Sequence, residues 1–498
     1  MFTIIEVDDD HCLDDYAANA QLASAVQDLR SEASVMVPEL KGRAFWMVSS
    51  TAQGGGVAEM MPKLVSLLRE VGVKAKWAVI GTERREFFQL TKRLHNLAHG
   101  HGDPSLTAED RELYETVSRE VAQEMQHQIG PNDILAVHDP HPAGVGALLK
   151  QQRNVKAVWR CHIGLDRHTP QTRAAWDFLR PYVEHYDHAV FSAPEYIPEY
   201  LTGNVSVIHP ALDPLSEKNR ELSPHMVTGV LVNAGLMRAH HPVLTAEHPL
   251  PVLRLRSDGR FGNATEPEEI GFLYRTIVTQ VSRWDHLKGW LPLLEGFARL
   301  KRENREKVFD ISDYDARRIE IARLVLAGPE PSSNENDPDA ERVLADVCRQ
   351  YLALDADVQA DIALLKLSTA SRRMNALTVN AIQRCSSVVV QNSLAEGFGL
   401  SCTEAMWKRC AVLGTTACGL RQQIRDGVDG RLLRDPTDPD HIKQTLLELL
   451  SDNEARVRYG RSAQRRASDE FLVFTQSRRW LEVMIDVVRG IHSSVAPY

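Results

Sequence analysis

The chain has 498 residues, of which 43% are hydrophobic and 25% are charged, and its formal net charge is −9. This length is too great for one hydrophobic core, so we predict two domains and allow for a third. The acidic balance argues against a general nucleic-acid or anionic-membrane surface, and no apolar run is long enough to span a bilayer, so we expect neither nucleic acid nor a membrane as a partner.

Residues 1–40 are predicted to be an N-terminal extension with helical periodicity. Apolar residues recur there at the spacing of one helix face, at Ala18, Leu22, Val26 and Leu29. An alternating α/β pattern begins after this segment. We therefore assign residues 41–212 to a first α/β domain.

The first domain opens with a strand at 44–48, a glycine-rich loop, a helix and a second strand at 75–80. Gly54, Gly55 and Gly56 end the loop, directly before the helix. Small residues in that place let backbone N–H groups approach a phosphate or a sugar. The pattern is neither the dinucleotide fingerprint nor a Walker A loop, so an ordinary βα turn is the alternative.

Two later strands of this domain each end at a histidine. The strand at 133–138 ends in His138, and His162 follows the strand at 156–161. Because parallel strands share one carboxyl edge, both side chains should lie where an open α/β sheet binds its ligand. A single histidine there is more often structural, whereas two on successive strands favour a site.

A proline-containing linker at 209–215 leads to a second α/β domain, which we place at 213–475. Residues 222–269 are rich in proline, histidine and glycine and are predicted to be an irregular insertion. After it, strands are predicted near 275–281, 321–327, 361–367, 387–390 and 411–414. The final segment, 476–498, is predicted to hold an amphipathic helix.

The loop after the first of these strands carries two cations, Arg283 and Lys288, ahead of a helix. Together with the helix N-terminus they would form a clamp for a diphosphate. The alternative is a solvated basic loop, which is the commoner role of such a pair. The choice between the two depends on what lies beside the loop.

The strand at 387–390 is followed by a glycine-containing turn and a helix. Glu396 lies on the turn, and Glu404 lies about one turn into the helix. Two carboxylates at the mouth of one strand–helix unit can accept hydrogen bonds from two sets of hydroxyls on a polyol. The alternative is a plain strand–turn–helix with two surface glutamates, but the neighbouring cations favour a site.

These stretches resemble the retaining GT-B glycosyltransferases, whose Glu-x7-Glu signature is matched by Glu396 and Glu404. Among them the chain is most similar to the trehalose glycosyltransferring synthases. The matching strings lie at 54–59, 138–140, 159–163, 213–219, 279–283, 396–400 and 403–408. The resemblance implies two Rossmann-like domains facing across a cleft, with a C-terminal helix that crosses back to the first domain.

The same resemblance implies a role for each site residue. Lys288 and Arg283 would hold the donor's diphosphate, Glu404 its ribose and Glu396 its hexose. The other implied donor-binding residues are Gly55, Gly56, Gly397, Phe398, Gly399 and Leu400. The implied catalytic residues are His162, Arg283, Lys288 and Glu396. The implied acceptor-binding residues are Gly54, Asp139 and Arg160.

The implied reaction is a reversible transfer of glucose from an NDP-glucose to free glucose, with retention, which gives trehalose. No metal or other cofactor is expected, since two side-chain cations would stabilise the leaving group. The alternatives are a trehalose phosphorylase, a transferase to another small polyol and a non-catalytic sugar-nucleotide sensor. The nucleotide base and the oligomeric state stay open, with a homodimer as one candidate.

The amino terminus and the cysteines together predict a cytoplasmic protein. The first residues lack the basic start of a signal peptide. The seven cysteines form no CxxC pair and are scattered among apparent strands and helices, which indicates reduced thiols.

Overall fold

The computed structural model describes residues 1–7, 11–52, 55–238, 250–331 and 339–491. The chain divides into two compact units. Unit 1 comprises Met1–Asp213 and the segment that begins at Glu470, and unit 2 comprises Pro214–Asp469. The boundary between Asp213 and Pro214 lies inside the linker predicted at 209–215, where proline favours an extended chain.

Unit 1 contains one sheet of seven strands, all but one parallel to their neighbours. The strands are β1 Phe2–Ile5, β2 Ala44–Ser49, β3 Lys74–Ile80, β4 Ile134–His138, β5 Lys156–Cys161, β6 His188–Phe191 and β7 Val205–Val207. Their order is β1-β3-β2-β4-β5-β6-β7, and β1 is antiparallel to β3. The central strands β2, β4 and β5 are buried over nearly their whole length, which explains their continuous apolar sequences.

Helices connect the strands of unit 1. They are α1 Leu13–Ala17, α2 Ala23–Met36, α3 Gly55–Glu70, α4 Arg85–Ala98, α5 Ala108–Met125, α6 Ala143–Gln152 and α7 Pro170–Val183. Helices α5 and α7 begin at capping boxes, in which Thr107 and Thr169 accept hydrogen bonds from the backbone three residues on. These hydrogen bonds fix where the two helices start.

Residues 1–40, predicted to be an extension, contribute an edge strand and two helices to unit 1. Strand β1 was not predicted, because its four residues show no alternation of buried and exposed positions. Helix α2 starts at Ala23, so the predicted stripe is only partly right. Val26 and Leu29 are buried on the helix and Leu22 is its buried N-cap, but Ala18 is exposed.

Unit 2 is built on an eight-stranded sheet. Its strands are β8 Leu253–Leu255, β9 Phe261–Asn263, β10 Ile277–Val281, β11 Arg323–Pro329, β12 Ile362–Leu367, β13 Val388–Val390, β14 Ala411–Thr415 and β15 Gly430–Leu433. The order is β15-β14-β13-β10-β11-β12-β8-β9. The strands from β15 to β12 are parallel, whereas β8 and β9 are antiparallel.

Unit 2 also contains helices, several of which pack on its sheet. They are α8 Pro224–Asn233, α9 Trp290–Arg305, α10 Asp313–Glu320, α11 Ala340–Leu352, α12 Ala356–Ala360, α13 Arg372–Arg384, α14 Leu400–Trp407, α15 Cys418–Gln423, α16 Pro439–Ser451 and α17 Asn453–Glu470. One cluster of buried residues joins α9, α11 and α16 to the strands, including Trp290, Leu344 and Leu446. A second lies on α8 and α13.

The segment 222–269, predicted to be irregular, contains regular structure in its described part. Helix α8 and strands β8 and β9 belong to it, and β8 pairs with β12 at the edge of the sheet. Buried Arg254 donates to O of Glu268 (3.1 Å), and buried Arg323 donates to O of Glu269 (2.7 Å). Strands β8 and β9 have three residues each, which is too short for a periodicity that the sequence could show. The hydrogen bonds of the two arginines hold the segment in place. Residues 239–249 lie outside the described residues.

The C-terminal helix α18 Val473–Arg489 belongs to unit 1, which confirms the predicted return to the first domain. It packs on α2 and α3 through buried residues that include Trp480, Leu481 and Met484. The Trp480 ring lies 5.6 Å from that of Phe45 on β2. Within the described parts of the chain, no helix is long and apolar enough to cross a membrane.

Candidate active site

Strands β10 and β13 lie side by side in unit 2, although β11 and β12 separate them in the chain. The chain order therefore reverses at this pair, and an open parallel sheet binds ligands at the carboxyl ends of such strands. The loop that carries Arg283 and Lys288 follows β10. The turn that carries Glu396 follows β13. The fold thus brings the two predicted halves of the donor site to one edge of the sheet.

The turn after β13 is fixed by close backbone contacts. Gly399 has a φ of +87°, and a Cβ there would lie 3.0 Å from Cγ of Glu396. The N–H of Gly419 in α15 donates to O of Glu396 (3.0 Å). A Cβ on Gly419 would lie 2.3 Å from Cα of Phe398, so glycine is needed for this approach. The predicted donor-binding residues Gly397, Phe398 and Gly399 therefore occupy a tightly held turn, and Leu400 begins α14.

Lys288 and Glu396 form an ion pair in this site. Nζ of Lys288 lies 2.5 Å from Oε2 of Glu396, and each side chain is 13% exposed. The hydroxyl of Ser393 also donates to Oε2 of Glu396 (3.1 Å). The sequence predicted that the two charges serve one ligand, and the structure places them in direct contact.

Arg283, the other predicted clamp residue, lies farther out on the same loop. Its side chain is 60% exposed, and Nη2 lies 3.5 Å from Oδ2 of Asp285. Its backbone O accepts a hydrogen bond from Nε1 of Trp290 (3.2 Å), which fixes the base of the loop. The structure therefore joins Lys288 to Glu396 and pairs the exposed Arg283 guanidinium with Asp285.

Two buried amides, which the sequence reading missed, connect the two loops. Nε2 of Gln280 donates to O of Lys288 (2.8 Å), and its Oε1 accepts from the N–H of Asn392 (2.9 Å). Nδ2 of Asn392 donates to O of Gly289 (2.9 Å). Because Gln280 and Asn392 are both fully buried, these hydrogen bonds hold the Lys288 and Glu396 loops in one relative position. The available signal was a polar residue within or directly after a buried strand.

Glu404 lies in α14 and is buried, with 4% of its surface exposed. Its Oε1 is 3.4 Å from Nζ of Lys218, a residue for which the sequence reading assigned no role although it lies in the matching string at 213–219. Nζ of buried Lys408 donates to O of Glu404 (3.2 Å) and to Oδ1 of Asn219 (3.2 Å). Burial lowers the pKa of Lys408 to about 8. Two lysines thus contact Glu404, Lys218 at its carboxylate and Lys408 at its backbone O.

In unit 1, His138 and His162 are directly hydrogen-bonded. Nδ1 of His138 lies 3.0 Å from Nε2 of His162, and the rings are stacked at an angle of 19°. Burial lowers the pKa of His138 to about 3 and lowers that of His162 well below its usual value. Both rings are therefore neutral at pH 7, so either ring can be the donor.

Asp139 follows β4 in a left-handed conformation, with a φ of +65°. Its Oδ1 accepts a hydrogen bond from the backbone N–H of His162 (2.7 Å), so it fixes the chain at the end of β5. Burial raises the pKa of Asp139 to about 6, against the opposing effects of that hydrogen bond and of Arg160. The two strand ends predicted to share a site are joined here.

Arg160, predicted to bind the acceptor, lies in the interior. Its side chain donates to O of Ile208 (2.7 Å) and to Oγ of Ser192 (3.2 Å), which holds β5 to the chain after β6 and β7.

The predicted glycine-rich loop lies partly outside the described residues. Gly54 is not among them, α3 begins at Gly55, and Gly56 is exposed. In the described part of the chain, no group of three His, Cys, Asp or Glu residues is arranged to hold a metal ion.

Family models match both units. "Trehalose synthase, N-terminal domain" covers residues 47–198, and "Glycosyl transferases group 1" covers residues 265–466. The chain is 34% identical to the trehalose synthase of Pyrococcus horikoshii over 448 residues, which are 90% of each chain. It is 24% identical to the trehalose phosphorylase of Grifola frondosa, over 89% of this chain and 57% of that one.

The fold is also that of solved glycosyltransferase structures. The α,α-trehalose 6-phosphate synthase of Burkholderia multivorans superposes with a TM-score of 0.62 and 16% identity, over 90% of this chain and 99% of that one. At this identity the likeness concerns the fold alone, which is GT-B, and each of the two units is built on a mostly parallel sheet.

Proposed function

Because the chain belongs to the trehalose synthase family of GT-B glycosyltransferases, we propose that it transfers glucose from an NDP-glucose to free glucose. The observation that carries the proposal is the ion pair between Lys288 and Glu396 at the edge of the unit 2 sheet. A sugar diphosphate needs a cation for its phosphates and an acceptor for its hexose hydroxyls. This pair supplies both at one point.

Lys288 is the cation nearest to the proposed hexose site. An ammonium group has three N–H donors, so Lys288 can keep its hydrogen bond to Glu396 and still donate to a diphosphate oxygen. The N-terminus of the 16-residue helix α9, which begins two residues later, adds partial positive charge. Arg283, exposed on the same loop, supplies the second cation to the diphosphate as the leaving group departs.

The two carboxylates divide the rest of the donor between them. Glu396 accepts hydrogen bonds from the hexose hydroxyls, and Glu404 accepts them from the ribose. Lys218 and Lys408 hold Glu404 in place from two sides, since Nζ of Lys218 lies near its carboxylate and Nζ of Lys408 donates to its backbone O. From the family resemblance we also assign to His162 a hydrogen bond to the donor hexose near its reacting carbon.

The proposed transfer occurs on one face of the glucose. The bond from C1 to the diphosphate oxygen breaks, and C1 bonds to the anomeric hydroxyl oxygen of the acceptor glucose. The hydroxyl proton passes to the leaving diphosphate. The donor's α configuration is retained, the product is α,α-trehalose, and the reverse reaction consumes trehalose and a nucleoside diphosphate.

A trehalose phosphorylase is the second candidate, and the likeness to the Grifola frondosa enzyme is the observation that favours it. The same two cations would then hold orthophosphate. Glu404 has no ribose to bind in that reaction, which argues for the nucleotide-dependent one.

The two candidates separate in the direction of trehalose cleavage. Trehalose is incubated with orthophosphate, and separately with UDP, ADP and GDP, and the sugar product is identified by NMR. We expect an NDP-glucose with at least one nucleotide and no glucose 1-phosphate. Glucose 1-phosphate in the phosphate reaction alone would replace the first proposal by the second.

A further inference from the structure

A small cavity lies beside the His138–His162 pair inside unit 1. Side chains of α3 and Trp480 of α18 form its apolar wall, and His138, Arg160, His162 and Gln476 form the rest. It has about 10 Å³ of space for the centre of a water-sized molecule, which is roughly what one water needs. The cavity is therefore large enough for a single water and too small for a sugar.

Three of these lining residues each have one buried polar atom with no hydrogen-bond partner among the described protein atoms. The atoms are Nε2 of His138, Nη1 of Arg160 and Oε1 of Gln476. The residues are 4%, 1% and 5% exposed, respectively. Leaving a buried polar atom without a hydrogen bond destabilises a folded protein, so three such atoms on residues around one cavity indicate a shared ligand.

The other ends of these groups are paired, which fixes their orientation. Nε2 of Gln476 donates to O of His209 (3.2 Å), so its Oε1 must be the end without that hydrogen bond. Nη2 of Arg160 donates to O of Ile208 (2.7 Å). Nδ1 of His138 is bonded to His162. The cavity is thus lined by one obligate donor, one obligate acceptor and one imidazole nitrogen.

We propose that the cavity binds one water, which accepts a hydrogen bond from Arg160 and donates to Gln476 and to Nε2 of His138. A water has two protons and two lone pairs, so this arrangement uses both protons. Were His138 to donate through Nε2 instead, one water proton would face the apolar wall. Unpaired buried donors are rarer than unpaired lone pairs, so Nε2 of His138 is the acceptor.

This water sets the tautomers of both histidines. A neutral imidazole carries one proton, so an accepting Nε2 places the proton of His138 on Nδ1. That N–H donates to Nε2 of His162, 3.0 Å away, and the proton of His162 is then on its own Nδ1. The low pKa values of both rings agree with this neutral pair.

His138 is therefore a positioning residue for His162, and Gln476 and Arg160 act on His162 through the water. One consequence rests on the proposed glycosyl transfer: His162 meets the donor hexose as a hydrogen-bond donor, through Nδ1–H to a hydroxyl oxygen. The tautomers themselves do not depend on that function. The inference can thus be tested without activity.

Nitrogen-15 NMR of the full-length, histidine-labelled protein shows which ring nitrogen carries each proton. The spectra of His138→Gln and His162→Ala assign the two rings among the 19 histidines. We expect Nδ1–H for both His138 and His162. An Nε2–H tautomer of His162 overturns the proposal, whatever the protein's activity.

A pair of substitutions at His138 separates positioning from volume. In His138→Asn the side-chain amide nitrogen occupies about the position of the imidazole Nδ1, so it can still donate to His162. In His138→Gln the amide nitrogen lies near the position of Nε2 instead. We expect His138→Asn to keep about five-fold more kcat than His138→Gln, the equilibrium effect of one hydrogen bond. A purely structural role favours glutamine, which fills more of the histidine's volume, so the reverse order contradicts the proposal.

Gln476→Leu removes Oε1 of Gln476, which accepts a hydrogen bond from the proposed water. The substitution leaves His162 itself unchanged. We expect about five-fold lower kcat, unchanged KM for the nucleotide-sugar and a loss of the uniform Nδ1–H signal of His162. Ser477→Ala is the matched control, since its hydroxyl is buried on the same helix and donates to O of Val473 (2.7 Å). If the wild type transfers no glucose, the proposed function fails, while the tautomer measurement still decides the inference.

Discussion

Replacing Lys288 by alanine tests the ion pair that carries the proposed donor site. The charged atoms lie 2.5 Å apart and both side chains are largely buried. At an effective dielectric constant of about 20, their attraction is roughly 6–7 kcal/mol before the desolvation of both ions is subtracted. Ser393 still donates to Glu396 in the variant. We therefore expect about 1–3 kcal/mol less stability and a folded protein.

Turnover of Lys288→Ala should fall by about 100-fold or more, equivalent to roughly 2.7 kcal/mol of transition-state stabilisation. The assay follows release of nucleoside diphosphate and formation of trehalose from NDP-glucose and glucose, beside a thermal melt of the same sample. In Lys288→Ala the Glu396 carboxylate has lost its lysine partner. The double variant Lys288→Ala/Glu396→Gln removes that carboxylate charge as well, so it should regain stability but not turnover. Wild-type turnover in folded Lys288→Ala would refute the reasoning.

Three further predictions concern the remaining acidic and histidine residues. Glu404→Gln should weaken the binding of nucleoside diphosphate by about ten-fold in calorimetry, because a charge-assisted hydrogen bond is lost, and an unchanged Kd would rule out the ribose role. His162→Ala should lower kcat on the order of 100-fold with nucleotide Kd within about two-fold of wild type, and normal turnover would remove it from the site. The raised pKa of Asp139 means that the folded protein holds a proton between about pH 4 and 6 that the unfolded chain has lost, so this group's contribution to stability decreases as pH rises through that window. In urea unfolding, Asp139→Asn should match the wild type near pH 4 and exceed it by about 2–3 kcal/mol at pH 7, and an equal difference at both pH values would contradict that account.

The parallel strands and the signature helix could be predicted because their sequences carry strong local signals. Strand β5 and helix α14 lie where the apolar runs placed them, at Lys156–Cys161 and Leu400–Trp407. The glycines beside Glu396 indicated a tight turn, and Gly399 has the positive φ that such a turn requires. That Lys288 and Glu396 serve one ligand was predicted from the rule that loops at one sheet edge share a site, whereas their direct contact was not predicted.

The rest depended on contacts between residues far apart in the chain. Nothing local in the sequence shows that Gln280 bonds to Asn392, 112 residues away. Strand β1 exists because β3 offers it an edge, and its own four residues carry no alternation. The resemblance implied that Arg160 binds the acceptor, and only the fold shows that its side chain donates to Ile208 and Ser192.

The same limit applies to Lys218. It lies in the matching string at 213–219, just after the linker, and only the fold reveals that its ammonium lies 3.4 Å from Oε1 of Glu404. Local pattern assigns a residue to an element, whereas its partner is set by how the elements pack. Most of the site residues that the sequence reading found lie at or just after strand ends, and Glu404 lies in the helix that follows one of them. Those it missed support them from neighbouring strands and linkers.

The most direct test of the proposed function is product NMR in a donor-by-acceptor screen. UDP-, ADP- and GDP-glucose are each incubated with carbon-13-labelled glucose, and the disaccharide and the released nucleoside diphosphate are quantified together. We predict α,α-trehalose with one labelled ring, formed in equal amount to the nucleoside diphosphate, and none with Lys288→Ala above about 1% of the wild-type rate. A β-linked product, or no transfer from any of the three donors to glucose, would contradict it.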